Sequence, residues 1–349
     1  MCRRVLLLLL LLASLSGCAR LSYYSHLAQG HWQLLQARTP IERLLADPQT
    51  DPALAEALRE VLAARRFAVD TLALPDNASY TQYADLGREA VVWNVFAAPR
   101  FDLQPRETCH PLVGCLAYEG YFDRARAERR AAALADEGWD TMVAPVSAYS
   151  TLGWFDDPVL NTMMGWRRSQ LIGTVFHELA HQRLFIADDT AFNESYASFV
   201  EREGLRVWQA RRGGNDAEAL RLRERRADVL RLVMAARASL AAIYAAGGDA
   251  EALAAAKQAV FEQLRADHAR LRETRWDGWD GYDAWFAQAL NNAHLLPFGL
   301  YDGWVPAFAA LYAEVGGEWP AFHAAAEALG RQAATERAAR LQALMAATP

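Results

Sequence analysis

The chain has 349 residues, 53% of them apolar and 22% charged, which suits a sizeable core and excludes a disordered protein. Its formal net charge of −6 leaves no basic footprint, so no nucleic-acid partner is expected. Lys257 is the only lysine; arginine supplies the rest of the positive charge.

The N-terminus reads as a targeting segment. Arg3 and Arg4 precede Val5 to Ala13, an apolar stretch too short to span a bilayer core of about 30 Å. It ends in Leu15-Ser16-Gly17-Cys18, which resembles the lipobox of bacterial lipoproteins. That resemblance implies cleavage before Cys18, acylation of Cys18, and a membrane-anchored protein facing the periplasm. Ala19 in place of aspartate favours the outer membrane. The alternative is an ordinary signal peptide with an incidental cysteine. The expected organisation is a signal peptide over 1–17, a lipidated tether over 18–30 and a single domain over 31–349. No later stretch reads as a transmembrane helix.

From Gly30 to about Ala73 apolar residues recur at three- and four-residue steps, with Pro40, Pro48 and Pro52 as breaks or helix starts. Ala90 to Phe96 reads as a strand stopping at Pro99, and Cys115 to Phe122 as a second. Cys109 and Cys115, in an exported chain, read as a disulfide closing a small loop; two buried thiols are the alternative. Asp123 to Glu137 reads as a helix closed by Gly138, and Thr141 to Ala148 as a third strand. Ser150 to Phe155 is the expected edge strand for a substrate backbone. A helix over Asn161 to Phe185, a second from Asp188 or Asp189 to Gly204, and a helical hairpin over 205–275 broken at Gly247-Gly248 follow. The remainder is helical, so the expected fold class is α+β, mainly helical with a small sheet. Trp276 to Asp283 alternates aromatics with Asp-Gly turns, and reads either as a ligand platform or as a linker filling a core.

The chemistry lies in His177-Glu178-Leu179-Ala180-His181 and Phe192-Asn193-Glu194-Ser195-Tyr196. Positions i and i+4 of a helix share a face, so His177 and His181 can hold one metal ion, with Glu178 beside it as general base. Glu194, about one turn into the returning helix, offers a third ligand; Glu201, two turns further on, reads as a supporting or solvated group. Two imidazoles and one carboxylate leave a fourth position open, as in a catalytic zinc site. The oxyanion donors considered are Tyr301 and His294.

These two runs resemble the gluzincin metallopeptidases. The chain as a whole resembles a family of bacterial lipoproteins known as predicted aminopeptidases, through the lipobox, Cys109 to Cys115 with Gly120-Tyr121-Phe122-Asp123, Ser150 to Phe155, the two site helices and Asn291-Asn292. The resemblance implies a gluzincin-like core, one Zn²⁺ on His177, His181 and Glu194, Glu178 as base, and removal of N-terminal residues from peptides in the envelope. Ser198 stands where the better-known enzymes carry an acidic residue, and no G-x-M-E-N motif holds a substrate amine. Glu119 and Asp156 are possible anions for that task. An envelope endopeptidase, or a scaffold lipoprotein with a structural zinc, remains as the alternative reading.

Overall fold

The computed structural model describes residues 21–110, 114–148, 151, 155–213, 217–299 and 303–346. Its first element is a helix, α1 (21–36), where a tether was expected. His26 Nε2 accepts from the Phe122 N–H at 3.1 Å, a Cβ at Gly30 would lie 2.2 Å from Phe122 Cγ, and Leu34 is buried. This docked face has one aliphatic residue among three, so its helical period is hidden in the sequence.

Strand β1 (Arg38–Pro40) leads into α2 (Ile41–Ala46) and α3 (Pro52–Asp70). Asp51 caps α3 through the Leu54 N–H, and Pro52 fills a first-turn position that needs no donor. Next come β2 (Gln82–Ala84), β3 (Val92–Pro99), β4 (Thr108–His110), β5 (Gly114–Leu116), β6 (Tyr118–Tyr121), α4 (Arg124–Asp136), β7 (Trp139–Val146) and β8 (Val159–Leu160). The chain is thus mainly helical with small sheets, an α+β protein.

In the antiparallel sheet β6-β3-β7, α4 crosses from one edge strand to the other. Trp93, Val95 and Ala97 face Ala127, Ala131 and Leu134 of α4, while Phe96 and Ala98 face the opposite side. Both faces are covered, so β3 reads as a continuous apolar run rather than an alternating one. The segment expected as one strand from Cys115 is split at Ala117 into β5 and β6. Cys109 and Cys115 lie opposite each other in the β4-β5 hairpin and form the disulfide.

Helix α5 (Arg168–Arg183) starts later than expected, because Asn161 and Thr162 spend their side chains on other segments. Asn161 accepts from Leu86 N–H and donates to the Arg88 carbonyl, and Thr162 donates to Ser147. These bonds hold 161–163 as a 3-10 turn. Helix α6 (Thr190–Arg211) starts at its Asp189 cap and passes through Gly204, where it was expected to end. A Cβ at Gly204 would meet Leu72 at 2.8 Å and Phe176 at 3.1 Å, so this glycine serves close packing inside the helix.

Helices α7 (Ala217–Ala246) and α8 (Ala250–Thr274) form the hairpin, turning through Gly247 (φ +71°) and Gly248 (φ +147°). Val229, Val233 and Leu240 pack with Phe261, Leu264 and Trp276. Although no transmembrane helix was expected after the signal, Leu220–Ala246 is long and apolar enough to cross a membrane by length and composition. Its Val229-Val233-Leu240 seam is committed to the hairpin core. Trp276, Trp279 and Tyr282 join that core, and Trp276 Nε1 donates to buried Asp228, so the Asp-Gly turns present aromatics inward.

Short helices α9 (Asp283–Phe286) and α10 (Asn292–Leu295) follow. Fully buried Asn292 donates to the carbonyls of Pro99, Arg100 and Asp102 and accepts from Tyr244, tying the end of β3 to α7. Helices α11 (Val305–Glu314), α12 (Trp319–Gly330) and α13 (Ala334–Ala346) complete the main core. Phe192, Tyr196 and Phe199 of α6 pack edge to face, tilted or stacked on Phe308 and Phe322.

His323 lies in this core, fully buried. Its Nε2 is 2.7 Å from the Leu72 carbonyl, which only accepts, so Nε2 carries the proton and Nδ1 accepts from Tyr196 at 2.7 Å. Burial pushes the imidazole down to about 4, against the favourable Leu72 bond. The folded value lies below the unfolded one of about 6.5, so the unfolded chain takes up the proton first as pH falls. Stability should drop between about pH 6.5 and 4, by about 3 kcal/mol. Urea midpoints at pH 7 and 4.5 check this: His323→Gln is expected to flatten the dependence, and an unchanged slope would contradict it.

Candidate metal centre

The site forms where α5 and α6 run antiparallel in close contact. A Cβ at Gly173 would lie 2.8 Å from Leu205 and 3.1 Å from Glu201, so this glycine lets the two helices approach closely. Asn193 fixes the connector: its side chain accepts from the Ile186 N–H at 2.8 Å and donates to the Ile186 carbonyl at 2.7 Å. That clamp sets the chain reversal and turns Glu194 toward α5.

His177, His181 and Glu194 consequently converge. His177 Nε2 and His181 Nε2 are 3.1 Å apart, and Glu194 oxygens lie 3.4 Å from the first and 3.6 Å from the second. A tetrahedral ion with ligand bonds of about 2.0–2.1 Å separates its ligand atoms by about 3.3 Å. The donor set and spacing therefore fit one ion of zinc's preference, and among the described residues this is the one such His/Cys/Asp/Glu group.

Glu201, two turns beyond Glu194, places Oε2 3.1 Å from His177 Nδ1. Its carboxylate therefore holds the His177 ring from behind. With an ion bound, a proton on Nδ1 shared with Glu201 would leave the Nε2 lone pair free to ligate it. Burial works against a charged His177, but its bonds to Glu194 and Glu201 outweigh burial and raise it well above the usual range. Burial likewise opposes ionised Glu194, yet the two imidazoles hold it down to about 2. His181 Nδ1 is buried and has no hydrogen-bond partner among the described residues.

Glu178 is half-buried and makes no hydrogen bond or ion pair among the described residues, so its carboxylate is unspent. Two phenols that sequence reading missed lie within its field. Tyr80 is raised well above its usual value by burial and then by Glu178, and Tyr118 is raised by burial and then by Glu194 and Glu178. Tyr80 also holds a positive φ of 62°, a strained conformation for an aromatic residue. Tyr118 begins the edge strand β6, and its ring packs on Phe96.

Gln182, directly after His181, anchors α5 at its end. It accepts from Asn77 at 2.7 Å and donates to Ser79 at 3.2 Å and to buried Asp157 at 3.4 Å. Asp157 also accepts from the Thr151 N–H and hydroxyl. Of the expected edge strand 150–155, Thr151 and Phe155 are described, and Thr151 Oγ1 bonds both the N–H and the carbonyl of Phe155. The disulfide hairpin borders the corner between the site helices: a Cβ at Gly114 would lie 2.7 Å from Asp188.

Other expected groups lie elsewhere. His294 completes the capping box of α10, its Nδ1 accepting from the Asn291 N–H at 3.3 Å, and burial pushes it down to about 4; it makes none of the cluster's hydrogen bonds. Tyr301 and Cys18 fall outside the described residues. Glu119 is committed to Arg106, Arg130 and Tyr121, which leaves it unavailable to a substrate amine, and Asp156 is exposed.

The sequence profile of one protein family, described as Putative aminopeptidase, matches residues 22–341. No curated protein and no solved structure matches the chain.

Proposed function

The chain belongs to the Putative aminopeptidase family, and from that premise we propose that it is a zinc metallopeptidase of the gluzincin type, removing N-terminal residues from peptides in the bacterial envelope. The observation carrying this reading is the convergence of His177, His181 and Glu194 within 3.1–3.6 Å, with Glu178 unspent beside them. A structural zinc needs no adjacent base and is closed by four protein ligands; this cluster supplies three. The lipobox at Cys18 supports anchorage to the membrane, facing the periplasm.

His177, His181 and Glu194 would hold the ion, which supplies a Lewis acid for the scissile carbonyl and lowers the pKa of a bound water. Glu178 accepts a proton from the attacking water on its carboxylate and delivers it to the departing amine. Glu201 keeps the His177 ring oriented and its Nε2 free. Tyr118, at the start of edge strand β6 and feeling the charge of both Glu178 and Glu194, is a candidate donor to the developing oxyanion. Tyr118→Phe should lower kcat by about 10²-fold with zinc content unchanged; unaltered kcat would remove the assignment.

Glu201→Gln should weaken zinc binding by about 10- to 100-fold, because the supporting carboxylate is lost while a hydrogen-bonding side chain remains. Competition with a zinc-binding dye measures it, and an unaltered affinity would show that Glu201 merely packs.

The function itself is tested with paired peptides, free and N-acetylated, offered to zinc-loaded protein before and after chelation. Chelator-sensitive release of the first residue from free peptides alone is the expected result. Internal cleavage of blocked peptides would make the protein an endopeptidase, and no cleavage of either set would overturn the reading.

A further inference from the structure

Helix α1 has two unlike faces. His26, Gly30 and Leu34 are buried against the protein. Leu21, Tyr24, Ala28 and Trp32, at steps of three, four and four, share the outer face, and the large ones are 72%, 41% and 60% exposed. An apolar ridge with an aromatic at its middle and far end is costly in water without a covering surface.

Beside this ridge lies a pocket of about 510 Å³ between α1, the start of α4 and Arg88. Gln29 and Gln33 line one wall, and Arg126 and Arg129 the other. Neither arginine side chain has a hydrogen bond or ion pair among the described residues, whereas neighbouring Arg124 is paired to Glu89 and Glu128. Arg88 spends two nitrogens on the carbonyls of Phe122 and Val91, and its buried Nε has no partner. Three guanidiniums thus face one carboxylate, that of Asp123, which is engaged in capping α4. In a chain of net charge −6, such a pocket is a local reversal of sign.

The position in the chain says which surface fits. Residue 21 follows the expected acylation site, Cys18, by three positions, and Gln29 lies about 12 Å along the helix from Leu21. A chain anchored there holds α1 at the depth of lipid headgroups, where aromatic side chains and guanidiniums partition favourably.

We propose that α1 and this pocket form a membrane-docking surface, with Leu21, Tyr24 and Trp32 at the headgroup level and the pocket receiving the phosphate of an anionic phospholipid. The contact fixes how the anchored protein lies on its membrane. It rests on the lipobox reading and is independent of peptide hydrolysis.

The test uses the full chain on vesicles of phosphatidylcholine alone or with about one third phosphatidylglycerol, followed by hydrogen exchange of 21–36 and 123–130. Exchange in both segments should slow about five-fold on the anionic vesicles. Arg126→Glu with Arg129→Glu should return it to the neutral-vesicle rate, while Arg124→Glu, altering an arginine already paired, should not. Equal exchange on both vesicles, or protection persisting in the double variant, would overturn the proposal. Equal protection by soluble glycerol phosphate with neutral vesicles would also overturn it, by making the ligand a free phosphate. Peptidase activity on a soluble peptide should be the same throughout.

Discussion

Glu178→Gln should lower kcat by about 10²- to 10⁴-fold while leaving fold and zinc content intact. The side chain is nearly isosteric, is half-buried, and makes no hydrogen bond or ion pair among the described residues that the amide would break. Proton acceptance is removed, together with one negative charge near Tyr80 and Tyr118. The loss corresponds to about 3–5 kcal/mol of transition-state stabilisation. KM should change little, because a base contributes when the water's proton moves and not when the peptide binds. Single-turnover assays on zinc-loaded protein, with metal content measured on the same samples, check the expectation. Retained activity would assign the base elsewhere and restore the structural-zinc alternative.

Glu194→Ala should have the second large effect, on metal rather than on turnover. Glu194 provides the third donor and the nearest negative charge to both histidines, at 3.4 and 3.6 Å. Without it the two Nε2 atoms, 3.1 Å apart, face each other with no carboxylate between them. A two-ligand site loses zinc by about 10³-fold or more in affinity, on the scale of one good metal–ligand bond among three. Isothermal titration of apo protein with zinc measures this, and thermal melts of the apo forms separate metal loss from unfolding. Glu201→Ala offers the contrast, since that residue touches the metal only through His177 and should cost far less affinity. Equal losses at 194 and 201 would mean that the roles of the two glutamates are misassigned.

The parts of the site that follow from spacing along one helix were legible in the sequence. His177 and His181 share a face because they are four apart, and Glu194 falls near them because the connector is short. What was not legible depends on segments distant in sequence. Tyr80 and Tyr118 come from a loop and an edge strand and carry no motif. The clamp of Asn193 on Ile186 and the anchoring of Gln182 on Ser79 and Asp157 are bonds across a fold, invisible to periodicity. Glu201 read as either a supporting or a solvated group, and packing through Gly173 brings α6 close enough for it to reach His177.

The same division holds for the fold. The strands of the larger sheet were readable from apolar and aromatic runs, and the capped helix α4 from Asp123 and Gly138, which takes a positive φ of 90°. Glycine misled where it serves proximity instead of a turn: Gly204 read as a helix end and is an interior contact. Helix α1 read as a tether because its outer face is apolar only at intervals, and its inner face relies on a histidine and a glycine.

Zinc-edge anomalous scattering from crystals of the zinc-loaded protein locates the ion. A single peak bounded at about 2.0–2.2 Å by His177 Nε2, His181 Nε2 and the Glu194 carboxylate is the expected result. A peak held by other residues, or full peptidase activity in crystals with no peak there, would contradict it.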